Sequence, residues 1–309
     1  MRNIIRFRLK RYLFRWDTFA AAIINIIIGF ISGTALIMLY QEESRPRYED
    51  YFFPAAYLTA LFCTMSAVMI TELNNLSNGA VRNQLIAGYA KLQIYLSSFF
   101  TVMLYSIVQG ALMVLPTYFF GRQYISGENA GTYSAHFIIT LILIYPVVSC
   151  AALTVCLLCN KSNTAVLICA VTVMVLFMSG LFVDKRLDEA QYKSNYYHRI
   201  KENMMYVESP EREALDICQC FSPIQPVFDL TDYYISAGRK AEELEIIHKN
   251  PQRKYQYRVY TPYRLEIDSK KARYTEHTDR IPIFMYCQTA LMILTGTVGA
   301  FAFRRRDLK

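Results

Sequence analysis

Apolar residues along this chain gather into six blocks, at residues 18–40, 52–71, 94–119, 133–159, 163–183 and 281–303. Each is close to the roughly 20 apolar residues that a membrane-crossing helix needs. The pattern therefore predicts an all-α polytopic membrane protein with six transmembrane helices. Between the second and third blocks lies a different pattern, residues 72–93, ELNNLSNGAVRNQLIAGYAKLQ. Here Leu76, Ala80, Val81, Leu85, Ile86, Tyr89 and Leu92 recur at helical spacing, while Asn78, Arg82, Asn83 and Lys91 fall on other faces. Such a segment is too polar to cross a bilayer and too amphipathic for a slack loop. It predicts a helix along the membrane surface, part of it offered to a partner; a solvated connecting helix is the plainer alternative.

The first 16 residues, MRNIIRFRLKRYLFRW, set six cations beside Ile5, Leu9, Leu13 and Trp16, which share one helical stripe. This predicts an amphipathic interfacial helix with its cations near anionic head groups. The apolar run that follows is too long for a signal peptide and has no small-residue cleavage site. Placing this end inside the cell, alternation puts QEESRPRYED and GRQYISGENAGTY outside. It puts 72–93, the short link at 160–163 and the tail after residue 303 inside. Both basic termini are then cytoplasmic, as the positive-inside rule requires. The division expected is residues 1–183 for the N-terminal helix and five spans, 184–280 for a large extracytoplasmic region between helices five and six, and 281–309 for the last span and basic tail. Within the outer region, residues 185–207 read as a polar helix. The apolar run 217–235 reads as a segment that dips into the leaflet or caps the bundle. The tyrosine-rich run 255–267 reads as two short strands.

Composition narrows the function. The 309 residues are 54% hydrophobic and carry a formal charge of +8. That charge sits at membrane boundaries, where it sets topology, so it does not imply a nucleic-acid partner. Inside the spans almost nothing ionises; Asn25, Gln109 and Gln288 are the notable polar groups. Ion-driven carriers need intramembrane Asp, Glu, His or Arg to relay the ion, so uphill work must be powered from elsewhere. No G-x-x-x-x-G-K-[ST], H-E-x-x-H or G-x-S-x-G is present, and His136, His198, His248 and His277 stand far apart. No catalytic residue and no metal site is expected. Six of the eight cysteines fall in or beside apolar runs, and Cys218 and Cys220 form an awkward C-x-C pair, read as unpaired thiols or a contact with another chain. Gly29 and Gly33 form G-x-x-x-G in the first helix and suit close helix packing.

Glu72 at the end of the second span, GAVRNQLIAG at 79–88 and IYLS at 94–97 resemble bacterial ABC-2 type transporter permeases. The link between the second and third helices of that family carries a similar G-x-[IV]-R-N-[KQ]-[LI] pattern. The tail Phe303 to Asp307 is similar to the F-x-x-R-D with which many members end. SPIQPVF at 222–228 stands where many have an N-P-x-G-Q-like stretch, with Ser222 in place of the Asn and no glycine. The resemblance implies a multi-pass permease of the bacterial cell membrane that exports its substrate. A separate cytosolic ABC ATPase would bind the ATP and magnesium, leaving this chain no cofactor of its own. It also implies a second permease, identical or sister, to complete the pathway. Residues 1–16 would be the elbow helix and 72–93 the coupling helix. The docking set is then Glu72, Val81, Arg82, Asn83, Leu85, Tyr89 and Lys91, with Val81, Leu85 and Tyr89 facing the partner or the bundle's inner rim. Arg82 would be the polar anchor, and Glu72 would pair with Arg82 or with a cation of the N-terminal helix. Two other classes fit the pattern less closely: a membrane sensor binding a ligand through its outer region, and a membrane-embedded enzyme, for which no constellation is present.

Overall fold

Backbone amides inside a bilayer have no water to bond, so each apolar run closes its own hydrogen bonds as a helix. In the computed structural model the described residues are 2–41, 52–121, 130–159, 162–187, 192–194, 200–202, 204, 206–208, 210–231 and 261–305. Most of 41–50 and of 121–133, part of the 160–163 link, residues 232–260 and the tail beyond Arg305 lie outside them. The elements in order are α1 (Arg2–Leu13), α2 (Trp16–Gln41), α3 (Phe52–Ser77), α4 (Ala80–Ile86), α5 (Lys91–Gly121), α6 (Ala130–Leu158) and α7 (Ser162–Leu187). They are followed by a small hairpin of β1 (Tyr192–Ser194) and β2 (Ile200–Glu202), then α8 (Glu211–Phe221), α9 (Gln225–Thr231) and α10 (Thr261–Arg305). Six helices are long and apolar enough to cross a membrane: α2, α3, α5, α6, α7 and α10. Among the described residues the protein is an all-α polytopic membrane protein apart from that hairpin.

Three local expectations change. Residues 185–207 are not one helix: α7 runs on to Leu187, and Tyr192 then pairs with Glu202 and Ser194 with Ile200 in an antiparallel ladder. Tyr and Ile suit a strand, and the ladder satisfies backbone groups that a frayed helix would expose. The described part of the 255–267 run is not strand either; from Thr261 onward it belongs to the 45-residue α10. Pro262 falls in the first turn, where a missing N–H costs nothing, and the helix formers that follow carry the helix unbroken into the last span. Residues 255–260 lie outside the described residues. Finally, 72–93 is three pieces, not one helix. Its start completes α3, its middle is α4 and its end opens α5, with Gly79 and Gly88 at φ 70° and 87° in the two turns.

The spans are held by close approach and by buried polar contacts. Gly29 and Gly33 face α5 so closely that a Cβ at Gly29 would meet the Met113 carbonyl oxygen at 2.5 Å. One at Gly33 would meet the Phe120 Cβ at 2.7 Å. Thr117 fills the seam by donating to the Gly29 carbonyl at 3.2 Å. Asn25, fully buried, donates to Thr64 Oγ1 at 2.9 Å and to Gln109 Oε1 at 2.7 Å, tying α2 to α3 and α5. In hydrocarbon such groups must find each other, so they fix helix pairing rather than carry an ion. A core of Tyr57, Leu61, Met69, Ile144, Tyr145 and Ala152 joins α3 to α6. The apolar run after residue 217 caps this core: Ile224, Val227 and Phe228 are buried in it, Phe228 lying against Gly180 of α7.

Candidate functional site at the terminal end of the bundle

A second cluster gathers α1, α3, α4, α5, α6 and the last turn of α10 at one end of the bundle. It contains Tyr12, Val68, Val81, Ile94, Tyr95, Leu153, Leu157 and Phe303. Lys91 donates to the Arg304 carbonyl at 3.3 Å, so the final described turn of the chain lies beside the start of α5. The first and last described helices therefore both pack at this end of the bundle.

Its centre is an ion pair. Glu72 leaves the apolar core in the last turns of α3, where an isolated carboxylate would be expensive to bury. Arg8 of α1 meets it, Nη1 to Oε2 at 3.2 Å, both side chains being almost fully buried. Tyr12 donates its hydroxyl to Glu72 Oε1 at 3.0 Å, and Asn75 donates to the same oxygen at 3.3 Å. Arg8 also donates to Ser98 Oγ of α5 and, through Nη2, to Gln84 Oε1 of α4 at 3.1 Å. One guanidinium thus ties four elements together, a task for which its planar fork of donors suits it. Burial, and after it the charge of Glu72, pushes the Tyr12 phenol well above its usual value, so it stays a donor.

The helix carrying Gln84 is built to be short. Gly79 enters α4 in the left-handed region, and Asn83 closes the first turn onto its carbonyl at 2.8 Å. At the other end Tyr89 donates to Gln84 O at 3.2 Å and Gly88 to Leu85 O at 3.0 Å, with Gly88 at positive φ. That is a Schellman cap, which needs a residue able to adopt the left-handed conformation. The helix between the two glycines is amphipathic in earnest. Val81 is buried, and Leu85 and Tyr89 pack half-buried on the same cluster. Arg82 and Asn83 are exposed, and Ile86 stands 76% exposed.

The seven residues singled out in the sequence therefore divide. Glu72 is buried in the ion pair, with the N-terminal helix as its partner and not Arg82. Val81, Leu85 and Tyr89 turn to the bundle's rim, and Lys91 turns to α10. Only Arg82 and Asn83 face outward, and Ile86 joins them. Arg8 and Gln84 were not singled out, nor was the stripe that α1 turns inward, Ile4, Arg8 and Tyr12. The stripe Ile5, Leu9, Leu13 and Trp16 is not the packed one: Leu13 and Trp16 are exposed. The signal available was the acid ending an apolar run, which demands a cation at helical spacing nearby.

At the opposite end, α8 and α9 are fastened to their neighbours. Gln288 of α10 donates to the Ser222 carbonyl at 3.0 Å, and Arg212 donates to the Leu187 carbonyl at 3.3 Å while lying over the Tyr206 ring. Cys218 is exposed and Cys220 half-buried. Among the described residues no group of side chains could hold a metal ion. A family model described as ABC-2 type transporter matches residues 1–188, which span α1 to α7. No curated protein matches the chain.

Proposed function

The chain belongs to the ABC-2 type transporter family and is a membrane permease subunit of an ABC transporter, and from that premise we propose that α4 is where a separate cytosolic ATPase docks. Closure of that ATPase, with ATP and magnesium bound there, would push on α4. The push would reach α1, α3 and α5 through Gln84, Arg8, Glu72 and Ser98. The observation that carries this reading is the two-sided build of α4. One side is tied to α1, α3 and α5 through Gln84 on the buried ion pair and through an apolar cluster, and the other leaves Arg82, Asn83 and an almost bare Ile86 uncovered. A bare isoleucine flanked by a guanidinium and an amide has the make-up of a compact contact in which a few side chains dominate.

On this reading both chain ends lie in the cytoplasm and the α8–α9 cap faces outside. The protein works in a bacterial cell membrane with a second permease, identical or sister, and export is the direction proposed. In correctly inserted protein, Ile86→Asp and Arg82→Ala should reduce co-purification of the ATPase. They should also lower transport and substrate-stimulated ATP hydrolysis together, by about tenfold for a hot-spot side chain. Leu85→Asp should instead lower the amount of folded permease. Normal coupling in the Ile86 and Arg82 variants would remove α4 as the docking site. Purification with no ATPase, together with ligand binding outside, would favour a sensor.

A further inference from the structure

The outward side of α4 has a neighbour, and we propose that the last turn of α10 belongs to the same docking surface, with Arg304 and Arg305 joining Arg82 to hold a carboxylate-bearing face of the ATPase. This inference rests on the docking role proposed above and names the chemistry of the partner's face.

The position of that turn is fixed from several sides. Tyr95 of α5 donates to the Gly296 carbonyl at 2.8 Å, and Thr154 of α6 donates to the Thr295 carbonyl at 3.0 Å. Gly299 leaves the room that these two side chains fill, since a Cβ there would meet both. Phe303 is buried, its ring centroid 6.1 Å from that of Tyr95, in the cluster that also holds Val81 and receives Leu85 and Tyr89. Lys91 ties the Arg304 carbonyl to the start of α5, and residues 87–90 are all that separate Lys91 from Ile86. A helix is about 10 Å across. An ordinary protein contact covers about 800 Å² on each partner, enough to take in α4, the first turn of α5 and the end of α10 together.

With Phe303 turned inward, the next two side chains turn out, and Arg304 and Arg305 are both exposed. Among the described residues no ion pair includes Arg82, Arg304 or Arg305. The described acids at this end, Glu72 and Asp17, are already matched by Arg8 and Arg15. The surface therefore offers cations without carboxylates of its own, together with the bare Ile86. Its complement is a face that carries carboxylates beside an apolar socket. A guanidinium can take a carboxylate through two parallel N–H bonds, which fixes orientation as well as charge. Anionic head groups would satisfy Arg304 and Arg305 singly but give Arg82, Asn83 and Ile86 no common partner. The two arginines also flank the last span and help to orient it; that role sets their sign, not their place beside α4.

The test uses the full permease and the ATPase that co-purifies with it, in detergent, with the permease taken from membranes in which its last span is correctly inserted. Arg304→Gln/Arg305→Gln should weaken ATPase binding about tenfold and flatten the salt dependence of the association rate. Arg304→Lys/Arg305→Lys should stay within about threefold of native, since the charges remain. In that lysine variant a carbodiimide, which joins amines to carboxylates in contact, should link residues 304–305 to an acidic peptide of the ATPase. Native affinity and salt dependence in the glutamine variant would overturn the proposal. So would a lysine variant that binds normally and forms no such link, a result that decides the matter even if the glutamine variant fails to insert. A glutamine variant that binds normally in detergent and loses activity only in anionic vesicles would assign the arginines to lipid and equally overturn it. The two readings fail apart. Weak binding by Ile86→Asp beside a normal glutamine variant keeps α4 and removes α10, whereas normal binding by Ile86→Asp removes α4 itself.

Discussion

Glu72 accepts from Arg8, Tyr12 and Asn75 at distances between 3.0 and 3.3 Å, and has almost no contact with solvent. Removing its charge alone would leave the Arg8 guanidinium buried without a counter-ion, a situation that costs about 3–5 kcal/mol. Glu72→Gln and Arg8→Gln should each lower the melting temperature and folded yield in detergent, while the double variant should lose much less than the sum of the two. Strict additivity would mean that the pair does not act as a unit. At this scale the sequence was legible for the acid and offered the N-terminal helix as one of two sources for its partner, but not which cation it would be. The apolar-stripe reading lays Ile5, Leu9, Leu13 and Trp16 on the membrane surface with the cations near its head groups, and assigns no face of the helix to the bundle. The structure gives the bundle the neighbouring stripe, Ile4, Arg8 and Tyr12, roughly one residue or about 100° away, because the buried Glu72 carboxylate needs a cation opposite it. The spacing of Ile4, Arg8 and Tyr12 becomes meaningful only once Glu72 is in place opposite it.

Whole elements were more legible than their edges, because a long apolar run in a membrane protein has few choices. The six spans fall where the hydrophobic blocks do, but α3 runs on to Ser77 and α10 starts at Thr261, since a helix continues through polar residues until something stops it. In the connector the stops are Gly79 and Gly88, both at positive φ, a conformation that the surrounding apolar periodicity does not reveal. The 217–235 run shows the same division. That its described part should leave water is plain from its composition, and it packs between α3, α6 and α7 with Ser222 accepting from Gln225 N at 3.3 Å to start α9. Which side chains go inward is set by the break at Pro223. Phe228 is 2% exposed and Phe221 is 52% exposed, although both lie in the same apolar stretch. Cysteines placed at the two positions in otherwise cysteine-free protein should therefore differ in labelling by a membrane-impermeant maleimide. The residue-228 thiol should react far more slowly than the residue-221 thiol. Equal rates would mean that α9 does not stay packed on α7.

For the molecule as a whole, the pattern of charge and the structure constrain each other without being the same observation. The structure puts α1, α4, the start of α5 and the end of α10 together, held by the Arg8–Glu72 pair and by Lys91 on the Arg304 carbonyl. It puts the β-hairpin and α8–α9 beyond the end of α7 that is remote from Ser162. An even number of spans requires that arrangement, but geometry alone does not say which end faces the cytoplasm. Charge supplies the direction. Arg2, Arg6, Lys10 and Arg11 precede the first span and Arg304, Arg305 and Arg306 follow the last, with Asp307 the lone acid of that tail. Short flanks of this kind orient spans, whereas the long segment between α7 and α10 crosses largely regardless of its mixed charges. A reporter that works only in the cytoplasm, fused after Lys309, should therefore be active, and the same reporter inserted near Ser194 or Lys249 should be silent. The reverse result would turn the bundle over and place α4 outside the cell. That would remove the docking role for Arg82, Asn83 and Ile86 while leaving every contact around Glu72 as it stands.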